Sequence, residues 1–385
     1  MKAAAREGRI AATFATPLAR VLSERIGACG PIPFAEYMRE CLYHPQWGYY
    51  SKAEARRFAD FYTSVDVHPI FGRLLARQLA EMWELLGRPR QFHAVEAGAG
   101  AGGLAAQILD FAVRELREFY GALRYVAVEQ SAARRARHDE MFGNHFESGA
   151  ARSAAELPRA IPVGCIFSNE LLDAFPVHRV VVECGTLREI YVGVNGKSFS
   201  EVRGPLSSAE IEPYFKEQQI TLGEGQQAEV NLDACEWIVD VGRRLGQGFV
   251  LTVDYGHEAP ELYNERHMRG TLLAYADHRA TEDFFERPGE QDLTAHVNFT
   301  ALDLWGRRAQ LTRTGYVSQM AFLVALGRGN QFADLYDHGA NQLERLRARL
   351  LLKSLIHPEA MGETFQVFVQ QKGVGQSNLT GLAGL

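Results

Sequence analysis

The run Val95-Glu96-Ala97-Gly98-Ala99-Gly100-Ala101-Gly102-Gly103-Leu104 constrains this chain more than any other segment. Residues 92–95 before it read as a buried strand, and residues 104–116 after it carry apolar side chains at helical spacing. Glycines between a strand and a helix let the backbone turn sharply and approach a ligand closely. Residues 125–128 read as the next strand, ending on Glu129, where an open α/β sheet presents a carboxylate to a ribose.

Two cofactors fit this order, and so does a tight structural loop. Gly98, Gly100 and Gly103 satisfy the dinucleotide spacing of NAD or FAD proteins, G-x-G-x-x-G. Glu96, Gly98, Gly100 and Gly102 satisfy E-x-G-x-G-x-G, the pattern of S-adenosylmethionine (SAM) methyltransferases. The acid two residues before the first glycine favours SAM, because it can orient the polar end of a zwitterion. A pyrophosphate would be repelled there, since it relies on a positive helix N-terminus and bare amides.

With 385 residues, 46% of them hydrophobic and 23% charged, the chain can bury one large core or two modest ones. A formal charge of -6 offers no broad positive field for phosphate backbones, so nucleic acid is not the expected partner. The run Arg134-Arg135-Ala136-Arg137 reads as a solvated helix face. Five widely spaced cysteines without a C-x-x-C pair argue against a disulfide framework and against a zinc site, and the histidines show no metal spacing. No apolar run reaches the ~18 residues of a membrane span. The basic N-terminus lacks the serine richness of a transit peptide, and a bacterial cytoplasmic location is expected.

The fold class expected is α/β, a doubly wound sheet with additions. Residues 1–88 read as an N-terminal helical cap, with a clear helix over 69–86. Strands and helices alternate over 89–260, the SAM-binding core, with strands at 92–95, 125–128, 163–168 and 248–253. An insertion near 180–232 starts with a hairpin turning at Cys184-Gly185-Thr186. Residues 261–373 add a loop, helices over 300–304, 318–325 and 341–356, and a last strand over 365–370 suited to antiparallel addition; 374–385 reads as a flexible tail.

In a doubly wound sheet the ligand lies beyond the carboxyl ends of the strands, so the chemistry is sought at 96–102, Glu129, Ser168-Asn169-Glu170 and Asp254-Tyr255-Gly256. Glu170 and Asp173, three apart, are candidate catalytic residues. A pair of carboxylates can fork onto a guanidinium, localise its charge on the far nitrogens and take the proton released on attack. Alternatively, Asn169 and Asp173 cap a following helix. Asp254 either touches a ligand or merely ends a strand before a glycine turn.

The segments Gly30-Pro31-Ile32-Pro33-Phe34-Ala35-Glu36-Tyr37-Met38, 43–50, Asp60-Phe61-Tyr62-Thr63-Ser64, the glycine run, 169–178, Val253-Asp254-Tyr255-Gly256-His257, 289–299 and Met361-Gly362-Glu363-Thr364-Phe365 resemble, in this order, the MidA-like methyltransferases. The resemblance covers residues 16–372. Its mitochondrial members are arginine methyltransferases that act as complex I assembly factors. It implies a class I SAM-methyltransferase fold, SAM as cofactor, and a protein substrate, in the mitochondrial relatives an arginine dimethylated symmetrically on a complex I subunit. It further implies that Gly98, Gly100, Gly102 and Glu129 hold SAM, with Thr63 and Ser64 closing over it; Glu96 and Asn169 complete the expected cofactor set. The chain departs from the family at Ala99 and Ala101, where a proline and a larger residue are usual, and at Val65-Asp66, where Pro-Glu is usual. The rival reading is an assembly or chaperone-like binding protein with a vestigial or regulatory SAM site. Neither the oligomeric state nor the acceptor follows from the sequence.

Overall fold

A computed structural model describes residues 15–51, 64–276, 279–357 and 362–383. The chain divides into two compact units that interleave along the sequence: Met1–Asp60 with Ala174–Leu232 and Tyr263–Ala295, and Phe61–Asp173 with Asp233–Leu262 and His296–Leu385. This partition cuts across the consecutive division at 88 and 260.

The second unit holds a central sheet whose strands, numbered for this sheet alone, are β1 (Phe92–Ala97), β2 (Leu123–Val128), β3 (Ala151–Ala154), β4 (Ile161–Asn169), β5 (Leu245–His257), β6 (Thr312–Ser318) and β7 (Phe365–Lys372). Their spatial order is β6-β7-β5-β4-β1-β2-β3. β1 to β5 pair in parallel, and β7 inserts antiparallel between β5 and β6. The strictly alternating Phe365, Val367 and Val369 are buried and join the main core, which is why a strand so late in sequence is drawn into the sheet. From β1 the chain first builds outward through β2 and β3, then crosses back to lay β4 on the other side of β1. That reversal leaves a crevice between the carboxyl ends of β1 and β4, the usual ligand position in open α/β sheets.

The helix Ile70–Leu85 belongs to this unit and is not a separate cap. Leu74, Leu75, Leu79 and Met82 share one core with Phe92, Ile108 and Phe167, because apolar side chains cover too much of the helix circumference for a surface element. Nor is the tail free through Ala383. Leu379 is buried, the Thr380 amide and hydroxyl donate to Glu81, and the Gly381 amide donates to Gln78 Oε1 at 3.0 Å. The helices expected near 300, 318 and 341 appear as Phe299–Arg307, Gln319–Arg328 and Gln342–Ile356. The last opens with Asn341 and Glu344 in a reciprocal capping box.

The first unit is built on antiparallel pairing of His178–Glu183, Thr186–Asn195, Ser198–Gly204, Gln227–Val230 and the short Ile32–Pro33. Its hairpin turns through Cys184 and Gly185, both at positive φ, the twist that matches two antiparallel strands. Phe34, Tyr37, Phe199 and Phe284 pack in its core. Among the described residues no helix is long and apolar enough to cross a membrane.

β4 leaves no room for a side chain at Gly164, where a Cβ would lie 2.0 Å from the His93 carbonyl oxygen of β1. Gly164→Ala is expected to lower the unfolding free energy by roughly 1–3 kcal/mol through overpacking of this pair, measured by urea denaturation. An unchanged midpoint would contradict the tight register.

Candidate functional site

The glycine loop leaves β1 at Ala97 and enters the helix Gly103–Glu115, whose apolar face (Leu104, Ile108, Leu109, Phe111) is buried. Gly98, Gly100 and Gly102 have φ of 75°, 56° and 92°, a region that costs other residues steric strain. Space forbids side chains as well. A Cβ at Gly98 would meet Leu171 Cδ1 at 2.9 Å, and one at Gly102 would meet Phe142 at 2.5 Å.

Two side chains hold the backbone of Gly100, one at its amide and one at its carbonyl. Glu129, just past the end of β2, accepts the Gly100 amide on Oε2 at 3.0 Å and the Ser131 amide on Oε1 at 2.8 Å. His138 places Nε2 2.9 Å from the Gly100 carbonyl and Nδ1 2.8 Å from Ser153 Oγ. A neutral ring with its proton on Nε2 satisfies both contacts, donating to the carbonyl and accepting from the hydroxyl. Burial holds the His138 pKa below the usual value, which favours that neutral form. Sequence reasoning missed His138 because a histidine ten residues beyond the strand end at Val128 shows no spacing signal; only the fold returns it to the loop. The run around Arg134 is similarly more than a solvated face, since Arg135 donates to the carbonyls of Glu129 and Gln130.

Glu96 lies under the loop, 3% exposed, accepting the Tyr125 hydroxyl at 2.6 Å. Burial pushes its carboxyl up to about 7, a shift that Tyr125 opposes and the nearby Glu129 charge reinforces.

On the other side of the crevice, β4 ends at Asn169 and is followed by a turn. No helix forms over 170–177, so Asn169 and Asp173 are not helix caps. Asn169 Nδ2 donates to Glu170 Oε1 at 3.1 Å, and the Tyr255 hydroxyl stands 3.5 Å from Glu170 Oε2. Glu170 and Asp173 are both buried. Glu170 has φ 52°, unusual for a side chain of its size. Asp254, within β5 and fully buried, accepts the amides of Leu171 and Leu172 on Oδ2 and that of Tyr255 on Oδ1. Burial, reinforced by the Glu170 charge, pushes the Asp254 carboxyl up to about 7 against the pull of those amides. Of the remaining expected site residues, Thr63 lies outside the described residues, and Ser64 is described only as the first residue of the short helix Ser64–Val67.

The crevice suits a nucleoside carrying a cationic, amino-acid-like arm. Each Glu129 oxygen takes one amide and keeps a lone pair that a ribose hydroxyl can use. Asn169 Oδ1 is buried and has no hydrogen-bond partner among the described residues, so it offers an acceptor to a ligand N–H.

Comparison with known proteins agrees with this chemistry. Residues 74–317 match a family model described as S-adenosyl-L-methionine-dependent methyltransferase. The protein arginine methyltransferase NDUFAF7 homolog, mitochondrial, of Drosophila melanogaster is 27% identical over 387 residues, covering 94% of this chain and 86% of its own length. Human protein arginine methyltransferase NDUFAF7, mitochondrial, is 27% identical and covers 92% of this chain and 83% of its own. A crystal structure of a COG1565 superfamily member from Burkholderia thailandensis, bound to S-adenosyl-homocysteine, superposes with a TM-score of 0.84 at 31% identity, covering 98% of this chain and 97% of its own. The sheet is thus of the class I methyltransferase kind, and the choice between nucleoside cofactors falls on SAM.

Two outcomes follow. Glu96 has a folded pKa above its unfolded value, so its contribution to stability is full below about pH 4.5 and is lost as pH rises through 7. Glu96→Gln is expected to flatten the fall in unfolding free energy between those pH values, by on the order of 2 kcal/mol, in urea titrations at several pH values; an unaltered profile would refute the assignment. His138→Ala should weaken S-adenosylhomocysteine binding roughly 3- to 10-fold by calorimetry through loss of one loop hydrogen bond, and an unchanged affinity would remove His138 from the site.

Proposed function

Because the chain belongs to this family of S-adenosyl-L-methionine-dependent methyltransferases, we propose that it methylates a protein, on an arginine guanidinium nitrogen held by Glu170 and Asp173. The observation that carries this reading is the placement of Glu170: a buried carboxylate on a left-handed residue at the end of β4, one residue before the Leu171 that packs on Gly98 of the cofactor loop. The names of the mitochondrial relatives, which describe arginine methyltransferases, support the same acceptor. The resemblance to the MidA-like group extends it to symmetric dimethylation of a respiratory complex I subunit, in a bacterial cytoplasm.

When bound, SAM supplies a methyl group activated by the positive sulfonium. The chain's own residues do the rest of the work. The glycine loop and Glu129 would hold the adenosyl part, with Glu96 and Asn169 toward its polar arm. A guanidinium is a poor nucleophile because its lone pairs are delocalised and its pKa exceeds about 12. Glu170 and Asp173 accept N–H bonds from two of its nitrogens, concentrate the positive charge there, and leave the third with more lone-pair character. A proton leaves that nitrogen as the N–CH3 bond forms and the S–CH3 bond breaks, and a carboxylate of the pair receives it. Alignment of two bound reactants supplies roughly 7–11 kcal/mol of the barrier reduction.

Glu170→Gln keeps size and polarity and removes the charge. In an assay with methyl-labelled SAM and lysate of cells lacking this chain, the variant should bind S-adenosylhomocysteine as wild type does and transfer label to arginine at least ~100-fold more slowly. Full activity in the variant would sink the role of Glu170. An absence of labelled protein with wild type, despite SAM binding, would shift the assignment to the assembly or chaperone-like reading.

A further inference from the structure

The turn that carries Glu170 has no repeating hydrogen-bond pattern of its own. It leaves β4 at Asn169, which is in register with Val253 of β5. The Glu170 amide still follows the ladder and donates to the Val253 carbonyl at 2.9 Å. Beyond that point the backbone swings away with Glu170 at φ 52°, and the next two amides, of Leu171 and Leu172, point back toward β5 with no strand carbonyl to receive them. The Asp254 carboxylate takes both, at 3.1 and 2.8 Å on the same oxygen, while its other oxygen takes the Tyr255 amide at 3.0 Å. Asp254 is 0% exposed and Leu172 is buried, so a Leu172 amide without this acceptor would be left unpaired.

We propose that Asp254 is a positioning residue for methyl transfer: by holding the Leu171 and Leu172 amides it locks Glu170 in its left-handed backbone conformation and fixes the Glu170 carboxylate beside Asn169 and Tyr255. The inference rests on the reading that Glu170 orients the acceptor. A left-handed glutamate relaxes toward ordinary φ unless the surrounding structure determines it, and the carboxylate supplies that determination. The neighbouring residues report the same design. Tyr255, whose hydroxyl faces Glu170, has its own amide on Asp254. Leu171 sets its Cδ1 against Gly98, so the clamped turn is braced on the cofactor loop. The role of Asp254 is to hold backbone, and it therefore acts through Glu170 without touching either reactant.

The test uses the full chain saturated with S-adenosylhomocysteine, in wild type, Asp254→Asn and Asp254→Ala. Asparagine keeps the side-chain volume and one neutral oxygen, but it loses the charge that binds two amides at once and turns an NH2 toward the Tyr255 amide, so the clamp loosens while the fold is kept even where alanine does not keep it. Hydrogen exchange, read by mass spectrometry on fragments spanning 169–173, should be at least ~10-fold faster in Asp254→Asn, with fragments from 92–97 and 123–128 unchanged. Binding of S-adenosylhomocysteine should stay within about threefold while kcat for arginine labelling falls about tenfold or more, a split that general loss of stability does not produce. Unchanged exchange over 169–173, a uniform rise across the sheet, or a loosened turn with full kcat would each overturn the proposal. If Glu170→Gln proves fully active, the reading of Glu170 fails by itself, and the exchange data still decide whether Asp254 holds the turn.

Discussion

Parallel strands that stop together leave a row of backbone amides with nothing to pair with, and in this protein buried carboxylates take them. Glu129 receives the Gly100 and Ser131 amides, and Asp254 receives those of Leu171, Leu172 and Tyr255. Buried N–H groups left unpaired cost about 1–3 kcal/mol each, so these contacts decide which loop shapes persist at the carboxyl edge. The glycine loop and the Glu170 turn face each other across the β1–β4 crevice because each is tied to an acid on the strand next to it.

The same acids set the electrostatics. Glu96, Glu129, Glu170, Asp173 and Asp254 are all buried, and Glu96, Glu129, Glu170 and Asp254 stand at or near the carboxyl ends of β1, β2, β4 and β5. Burial, reinforced by the Glu129 charge at Glu96 and the Glu170 charge at Asp254, raises both carboxyls to about 7, a cost that a bound cation would offset. A sulfonium cofactor is such a cation, and so is the guanidinium of the proposed acceptor. A site of this sign disfavours pyrophosphate, in keeping with the family to which the chain belongs.

Much of the central sheet was readable residue by residue. The four core strands were expected at 92–95, 125–128, 163–168 and 248–253, and they form there as Phe92–Ala97, Leu123–Val128, Ile161–Asn169 and Leu245–His257, each longer at one or both ends, because continuous apolar runs define a strand better than they define its ends. The glycine loop was visible because positive φ at Gly98, Gly100 and Gly102 admits few other residues. The helix Ile70–Leu85 was visible as a helix and misplaced as a cap, since periodicity reports that a face is buried without reporting against what. The helix that the capping alternative for Asn169 and Asp173 requires does not form. The spacing of Asn169, Glu170 and Asp173 imitates a capping pattern, but Asp254 draws the following amides out of any helical turn.

By itself the sequence determined the doubly wound order of elements, the glycine loop and the acids at the strand ends, because each of these is a local matter of backbone freedom, side-chain periodicity or charge. Tertiary structure alone decided that His138 closes on Gly100, that Asp254 governs a turn more than eighty residues earlier, and that segments distant in sequence share a unit. Those are contacts between residues far apart in the chain. They exist because the sheet brings strand ends together, a closeness that no spacing along the sequence encodes.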